Sequence, residues 1–190
     1  MPIPKPEQKY SYIDYLTWDE SERWEILDGV PYMQAAPSRI HQEISMELST
    51  QFHTYLKGKP CRVFAAPFCV RLDVEKNDND VKNVVEPDIT IVCDSFKLDE
   101  RGCIGSPNMI VEILSPSTGK KDRVDKFNKY EKAGVKEYWV VEPDQKIVSV
   151  FLLQSNGIYG RPEMYTEEDK IKVSIFPDLE IDLKPVFEKS

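Results

Sequence analysis

The sequence predicts an α/β chain of the α+β kind, a central mixed β-sheet flanked by helices, with β-hairpins added near both ends. Three observations predict it. Apolar residues at helical spacing run from Ile40 to Leu56 and give one buried stripe. The runs Val84 to Cys93 and Met109 to Leu114 are nearly continuous in apolar residues, as strands covered on both faces should be. A second helical pattern, Lys121 to Ala133, then leads into the strand-like EYWVV of Glu137 to Val141.

Each element has a local reason. Residues 1–9 carry three prolines and are expected to form a flexible leader; residues 10–190 then make a single domain, the default for a chain of this length. Tyr10 to Trp18 reads as a short helix. Arg23 to Ala35 reads as a β-hairpin, because Asp28-Gly29 supplies the positive φ of a tight primed turn. Ser38 is a candidate N-cap for the helix whose stripe is Ile40, Ile44, Leu48, Phe52, Tyr55 and Leu56, and Gly58 and Pro60 end it. Cys61 to Leu72, Val84 to Cys93 and Met109 to Leu114 are three strands separated by polar loops. Lys121 to Ala133 is a helix with Val124, Phe127 and Tyr130 inward and Gly134 at its C′ position. Pro143-Asp144 turns the next strand into Ile147 to Leu153, and Ile171 to Phe176 makes a late strand.

Composition narrows the function classes. The 190 residues carry 33 acidic and 25 basic side chains, a formal charge of -8, so the chain as a whole does not attract phosphates. The distribution is uneven: Asp73 to Glu100 is strongly acidic, whereas Lys120 to Lys132 holds six bases and three acids. That strip is either a solvated helix face or a guide for a polyanion. No run approaches the ~18 apolar residues of a membrane helix, and the N-terminal segment has no signal-peptide core, so a cytoplasmic location is expected. Cys61, Cys69, Cys93 and Cys103 include no C-x-x-C pair; three lie in apolar runs and are expected as buried reduced thiols. No G-x-S-x-G elbow, phosphate loop or G-x-G-x-x-G turn is present.

Two carboxylates stand out. Asp88 and Glu112 each sit in an apolar strand, where a lone charge costs several kcal/mol unless it is paired or binds a cation. A shared Mg²⁺ or Mn²⁺ would satisfy both, because hard cations take one or two carboxylates plus waters and phosphate oxygens. Strand-end acids pointing into water are the alternative. Lys126, at the edge of the second helix's apolar face, can hide its stem and present its ammonium near such a site; it can equally form a surface pair with Asp122 one turn earlier. His41 lies on the buried side of its helix, as a core group or a supporting ligand. Glu25, among Trp24, Ile26 and Leu27, faces either the same cleft or water.

The ordered set Glu86-Pro87-Asp88, Val111-Glu112-Ile113-Leu114-Ser115-Pro116-Ser117-Thr118, Asp122, Lys126, Tyr130 and Gly134-Val135-Lys136-Glu137-Tyr138-Trp139 resembles the Uma-two family of restriction-endonuclease-like proteins, in the PD-(D/E)XK nuclease superfamily. The likeness runs from Trp24-Glu25-Ile26-Leu27-Asp28-Gly29 to the closing FPDLEIDL and covers most of the chain. It implies a restriction-endonuclease-like core, with Asp88 and Glu112 ligating Mg²⁺ or Mn²⁺. The lysine expected two residues after Glu112 is here Leu114, and Lys126 matches the pattern in which the following helix supplies it. The expected activity is that of a metal-dependent endonuclease acting on DNA, with catalytic Asp88, Glu112 and Lys126, supporting His41, Glu25 and Asp122, a backbone-guiding strip of Lys120, Lys121, Arg123 and Lys129, and a homodimer. A catalytically silent nuclease-fold binding module shares this fold and differs on metal-dependent cleavage, and a small-molecule phosphodiesterase would turn over short esters but not polymers.

Overall fold

Asp28 and Gly29 take φ values of 49° and 78°, the paired left-handed conformation of a tight primed turn, and fold the chain into the expected hairpin. The structure is a computed structural model that describes residues 4–5, 7–19, 21–73, 77–115 and 121–188, with backbone alone at 121–123. The expected leader lies partly outside the described residues; at its end Tyr10 donates its amide to Gly29 at 2.8 Å.

In chain order the elements begin with α1 (Tyr12–Tyr15), β1 (Trp24–Leu27), β2 (Val30–Met33) and α2 (Arg39–Leu56). Short strands follow: β3 (Arg62–Ala65), β4 (Val70–Arg71), β5 (Val84–Val85), β6 (Ile89–Val92), β7 (Leu98–Asp99), β8 (Gly102–Ile104) and β9 (Met109–Ile113). Then come α3 (Lys121–Ala133), β10 (Glu137–Glu142), β11 (Ile147–Leu152), β12 (Glu163–Thr166), β13 (Lys170–Lys172), β14 (Glu180–Asp182) and α4 (Lys184–Phe187). One six-stranded sheet has the order β12-β11-β10-β9-β6-β3, a second the order β2-β1-β5-β4-β8-β7, and β13 pairs with β14. Each large sheet is mixed, with one parallel pair: β9 with β10, and β4 with β8. The mixed α+β class expected from the sequence is therefore the observed one, with two large sheets.

The two apolar runs read as single strands are each shared between the sheets. Cys61 to Leu72 becomes β3 and β4 around Pro67, and Val84 to Cys93 becomes β5 and β6 around Pro87. Proline has no N–H for a ladder, so each run breaks there and its halves pair in different places. The late strand shortens to β13 because Phe176 N–H turns back onto the Val173 carbonyl at 3.0 Å. The cysteine expectation also needs correcting: Cys61 and Cys93 form a disulfide, and Cys69 and Cys103 are free. The antiparallel register Arg62↔Val92, continued by one residue, sets the two cysteines opposite each other, a long-range pairing that sequence spacing does not reveal.

Each face of the β9-containing sheet is covered. Ile44, Leu48 and Phe52 of α2 pack on one face with Ile89, Ile91, Val111, Trp139 and Val141, all fully buried or nearly so; each such aliphatic or aromatic side chain contributes about 1.5–3 kcal/mol. The other face carries Ile110, Tyr138 and Val140 against Tyr130 of α3 and Val70 and Val85 of the second sheet. Val124, expected inward, is 59% exposed. It lies about 120° around α3 from Tyr130, whereas Lys126 and Tyr130, one turn apart, share the buried side.

Ser38 caps α2 as expected, its hydroxyl accepting the His41 amide at 3.2 Å. Ser38→Ala is expected to lower stability by about 1 kcal/mol, read as a shift in the urea midpoint without a change in slope. A shift below a few tenths of a kcal/mol would mean that solvent satisfies this amide equally well.

Candidate active site

The two acids that the sequence singled out meet at the junction of β6 and β9. These strands pair antiparallel with Ile89↔Val111 and Thr90↔Ile110; the same register continued by one residue sets Asp88 opposite Glu112. Glu112 meets α3 through Lys126 and Tyr130, whereas Asp88, just outside the strand proper, is met by His41 of α2. Asp88 stands just before β6, after Pro87, rather than mid-strand. Its Oδ2 accepts the Ile113 amide at 2.7 Å, so its carboxylate is anchored on the strand that carries Glu112.

Around this pair the chain builds a buried polar cluster. Lys126 reaches from α3 with its Nζ 3.1 Å from Glu112 Oε1 and 2.8 Å from Glu25 Oε1, and only 6% of the residue is exposed. Tyr130, one turn along, donates its hydroxyl to Glu112 Oε1 at 2.5 Å. Glu25 points to this side because β1 alternates: Trp24 and Ile26 enter one core while Glu25 and Leu27 face α3. Glu25 is held in turn by the Glu86 amide at 2.8 Å and the Gln34 amide side chain at 2.7 Å. His41, from the first turn of α2, places Nε2 3.1 Å from Asp88 Oδ1.

The charges follow from this arrangement. Burial pushes the Glu112 carboxyl up to about 7; Asp88 and Glu25 add to the rise, while Lys126 and the Tyr130 hydroxyl oppose it. Burial disfavours the Lys126 ammonium, but the charges of Glu112 and Glu25 and their hydrogen bonds outweigh it, and its pKa lies above the ordinary lysine value. Burial likewise lowers His41, and the Asp88 hydrogen bond together with the Asp88 and Glu112 charges more than restores it. Burial, then the nearby Glu112 charge, keep the Tyr130 phenol protonated far above its usual range. Three carboxylates thus face one lysine and one histidine, an excess of negative charge in a cleft of low dielectric.

Comparisons with known proteins give the family and the fold. The model of the Uma2 family, described as "Putative restriction endonuclease", matches residues 12–184, which is nearly the whole chain. The chain belongs to the Uma2 family. An uncharacterized protein of the cyanobacterium Synechocystis is 33% identical over 127 residues, 66% of this chain and 64% of that protein, so the match spans slightly under two thirds of the relative's length. A crystal structure from Anabaena variabilis, titled as a "putative nuclease belonging to DUF820", superposes with a TM-score of 0.75 at 20% identity, over 94% of this chain and 97% of that one. At that identity the likeness concerns the fold.

In this Uma2 chain the structure brings together Asp88, Glu112, Lys126, His41 and Glu25. Lys126 pairs with the two buried acids rather than standing on the surface. Lys129 belongs to another contact, an ion pair with Asp28 in the hairpin turn, which ties α3 to β1 and β2. Lys120 lies outside the described residues, and so do the side chains of Lys121, Asp122 and Arg123. Tyr130 and Gln34 were not legible as site residues. The spacing of Tyr130 four residues after Lys126 was the available signal, but an aromatic on an apolar helix face reads first as core.

A divalent cation fits this donor set. Among the described residues no group of three or more His, Cys, Asp or Glu side chains is arranged to enclose a metal. Two facing carboxylates with surplus negative charge suit a cation that keeps part of its water shell and shares oxygens with a substrate phosphate, as Mg²⁺ does.

Among the described residues no helix is long and apolar enough to cross a membrane.

Proposed function

We propose that this Uma2 protein is a Mg²⁺- or Mn²⁺-dependent nuclease that hydrolyses phosphodiester bonds in DNA. The observation that carries the reading is that Asp88, one residue beyond the Ile89↔Val111 pair and bonded to the Ile113 amide, stands beside Glu112, with Lys126 3.1 Å from the second of them. The family description and the nuclease title of the Anabaena fold neighbour support it.

Asp88 and Glu112 would hold the cation, whose chemistry when bound is to polarise the phosphate and lower the pKa of a water. The protein's own groups do the rest. Lys126, fixed between Glu25 and Glu112, donates hydrogen bonds toward the attacking water or the charge that develops on the phosphoryl oxygens. Glu25 and Tyr130 set the position of Lys126 and Glu112, and His41 together with the Ile113 amide sets that of Asp88. The basic residues Lys120, Lys121 and Arg123 would guide the polymer's backbone. A homodimer and a cytoplasmic setting complete this reading.

One observation favours the silent binding module as a second reading: Lys126 and Tyr130 both engage Glu112 Oε1, as in a closed structural network. Supercoiled DNA incubated with wild type and Glu112→Ala in Mg²⁺, Mn²⁺ or EDTA separates the two. The nuclease nicks or linearises DNA only with metal and only with Glu112 present. Equal, metal-independent activity of the two proteins, or none in either, overturns the catalytic reading.

A further inference from the structure

We propose that the cavity between α1 and the start of β1 is a nucleobase subsite, adjoining the Asp88–Glu112 centre and selective for an unpaired base that carries an amino group. Its occupant rests on the nuclease reading; the site itself rests on geometry. The cavity measures about 230 Å³ and is walled by Tyr15, Leu16, Trp18 and Trp24, with Glu22 and Arg23 at its polar edge. That is below the ~300 Å³ at which drug-sized ligand pockets begin and suits one flat heterocycle better than a whole nucleotide.

The aromatic wall is held in place before any ligand arrives. Tyr15 sits 5.6 Å from Trp18, and Trp18 5.8 Å from Trp24, measured between ring centroids. The Tyr15 hydroxyl donates to Glu86 Oε1 at 3.0 Å. Trp18 and Trp24 are 6% and 8% exposed and form the back of this wall, so the half-buried Tyr15 ring, already fixed, offers the stacking face at little entropic cost.

Position links the cavity to the chemistry. Arg23 lines both this space and the neighbouring cavity of about 170 Å³ that contains His41 and Asp88. Its Nε is 2.9 Å from Glu86 Oε2, and Glu86 lies two residues before Asp88, about 6–7 Å along an extended chain. A strand with its scissile phosphate at Asp88 can therefore pass Arg23 and place its next base against Tyr15, with the guanidinium near the intervening phosphate.

The polar edge sets the selectivity. Glu86 uses its two oxygens on Tyr15 and Arg23, while Glu22 accepts the Trp24 indole N–H through Oε2 at 3.2 Å. A carboxylate has further lone pairs for donors, and Asp19 adds a third acid to the lining. Cytosine, adenine and guanine offer an exocyclic amino group to such acceptors. Thymine and uracil present two carbonyls around a single N–H and meet carboxylate oxygens unfavourably.

Trp18 and Trp24 serve as reporters, since Trp139 is buried in the core on the far side of the sheet. The full chain is titrated with cytidine, adenosine, guanosine and thymidine 5′-monophosphates while tryptophan emission is followed. Saturable quenching is expected, at least about fivefold tighter for the amino-bearing bases than for thymidine, and weakened ~5- to 100-fold by Tyr15→Leu. Leu16→Glu, at a position 42% exposed, places a charge at the mouth without touching the core and should weaken binding in the same direction. No saturable response, equal affinity for cytidine and thymidine monophosphates, or unchanged affinity in the Leu16→Glu variant overturns the proposal. Parallel cleavage assays of the wild type separate it from the nuclease reading. Nucleotide binding without cleavage by wild type sinks only the latter; metal-dependent cleavage without nucleotide binding sinks only the subsite.

Discussion

Glu112→Ala is expected to lower Mg²⁺-dependent DNA cleavage by about 10³-fold or more while leaving a folded protein. Single electrostatic groups acting on a developing charge are typically worth 10²–10³, and Glu112 would both hold the cation and fix Lys126, two roles lost together. The fold should tolerate the change. Burial already disfavours the Glu112 carboxylate, as its raised pKa of about 7 shows, and Asp88 and Glu25 repel it. After its removal Lys126 keeps Glu25 at 2.8 Å, so no buried charge is orphaned. The measurements are nicking rates under matched metal and near-ultraviolet circular dichroism. A folded variant within a few-fold of wild type would remove Glu112 from the chemistry and, with it, the metal pair.

What is legible in the sequence depends on whether a signal is local. The Asp28-Gly29 turn, the Ser38 cap, the α2 stripe and Gly134, with φ 86°, are written in short windows, and the structure places them as expected. The Asp88–Glu112 pair was legible for another reason: a carboxylate in an apolar run is a physical anomaly wherever the strands end up. What was hidden depends on pairing between distant segments. Pro67 marks a break within Cys61 to Leu72, but nothing there says that the halves belong to different sheets, nor does the 32-residue spacing announce Cys61 and Cys93 as partners. The strands β7, β8, β12 and β14 are two to four residues long, too short for a period-two pattern to emerge. Glu25 looked ambiguous because its strand is buried along its whole length, so alternation could not say which side is polar. Its role becomes visible only when Lys126, 101 residues later, comes to lie against it.

That long-range contact yields the second large effect. Lys126→Ala is expected to destabilise the protein by about 3–5 kcal/mol, because deleting one partner of a buried ion pair leaves uncompensated charge behind. Here two carboxylates are stranded, their oxygens having been 2.8 Å and 3.1 Å from the same nitrogen. For a chain of this length the melting temperature should fall by on the order of 10 °C, and a drop of only one or two degrees would mean that the cluster is hydrated rather than dry. Stability alone does not distinguish a structural lysine from a catalytic one, so the informative protein is the double variant Glu25→Gln with Lys126→Met. It removes one of the stranded charges and refills the space of the lysine stem with a thioether, and buried ion pairs replaced by neutral groups of similar volume often lose little stability. The coupling between the two sites should then appear as a recovery of about 1 kcal/mol or more over the sum of the single changes, the scale typical of residues in one network. If Lys126 serves only to neutralise Glu25 and Glu112, cleavage returns with the fold. If its ammonium acts on the reacting phosphate, cleavage stays at least about 10²-fold below wild type in a protein as stable as the original, and that dissociation of rate from stability is the result the proposed mechanism requires.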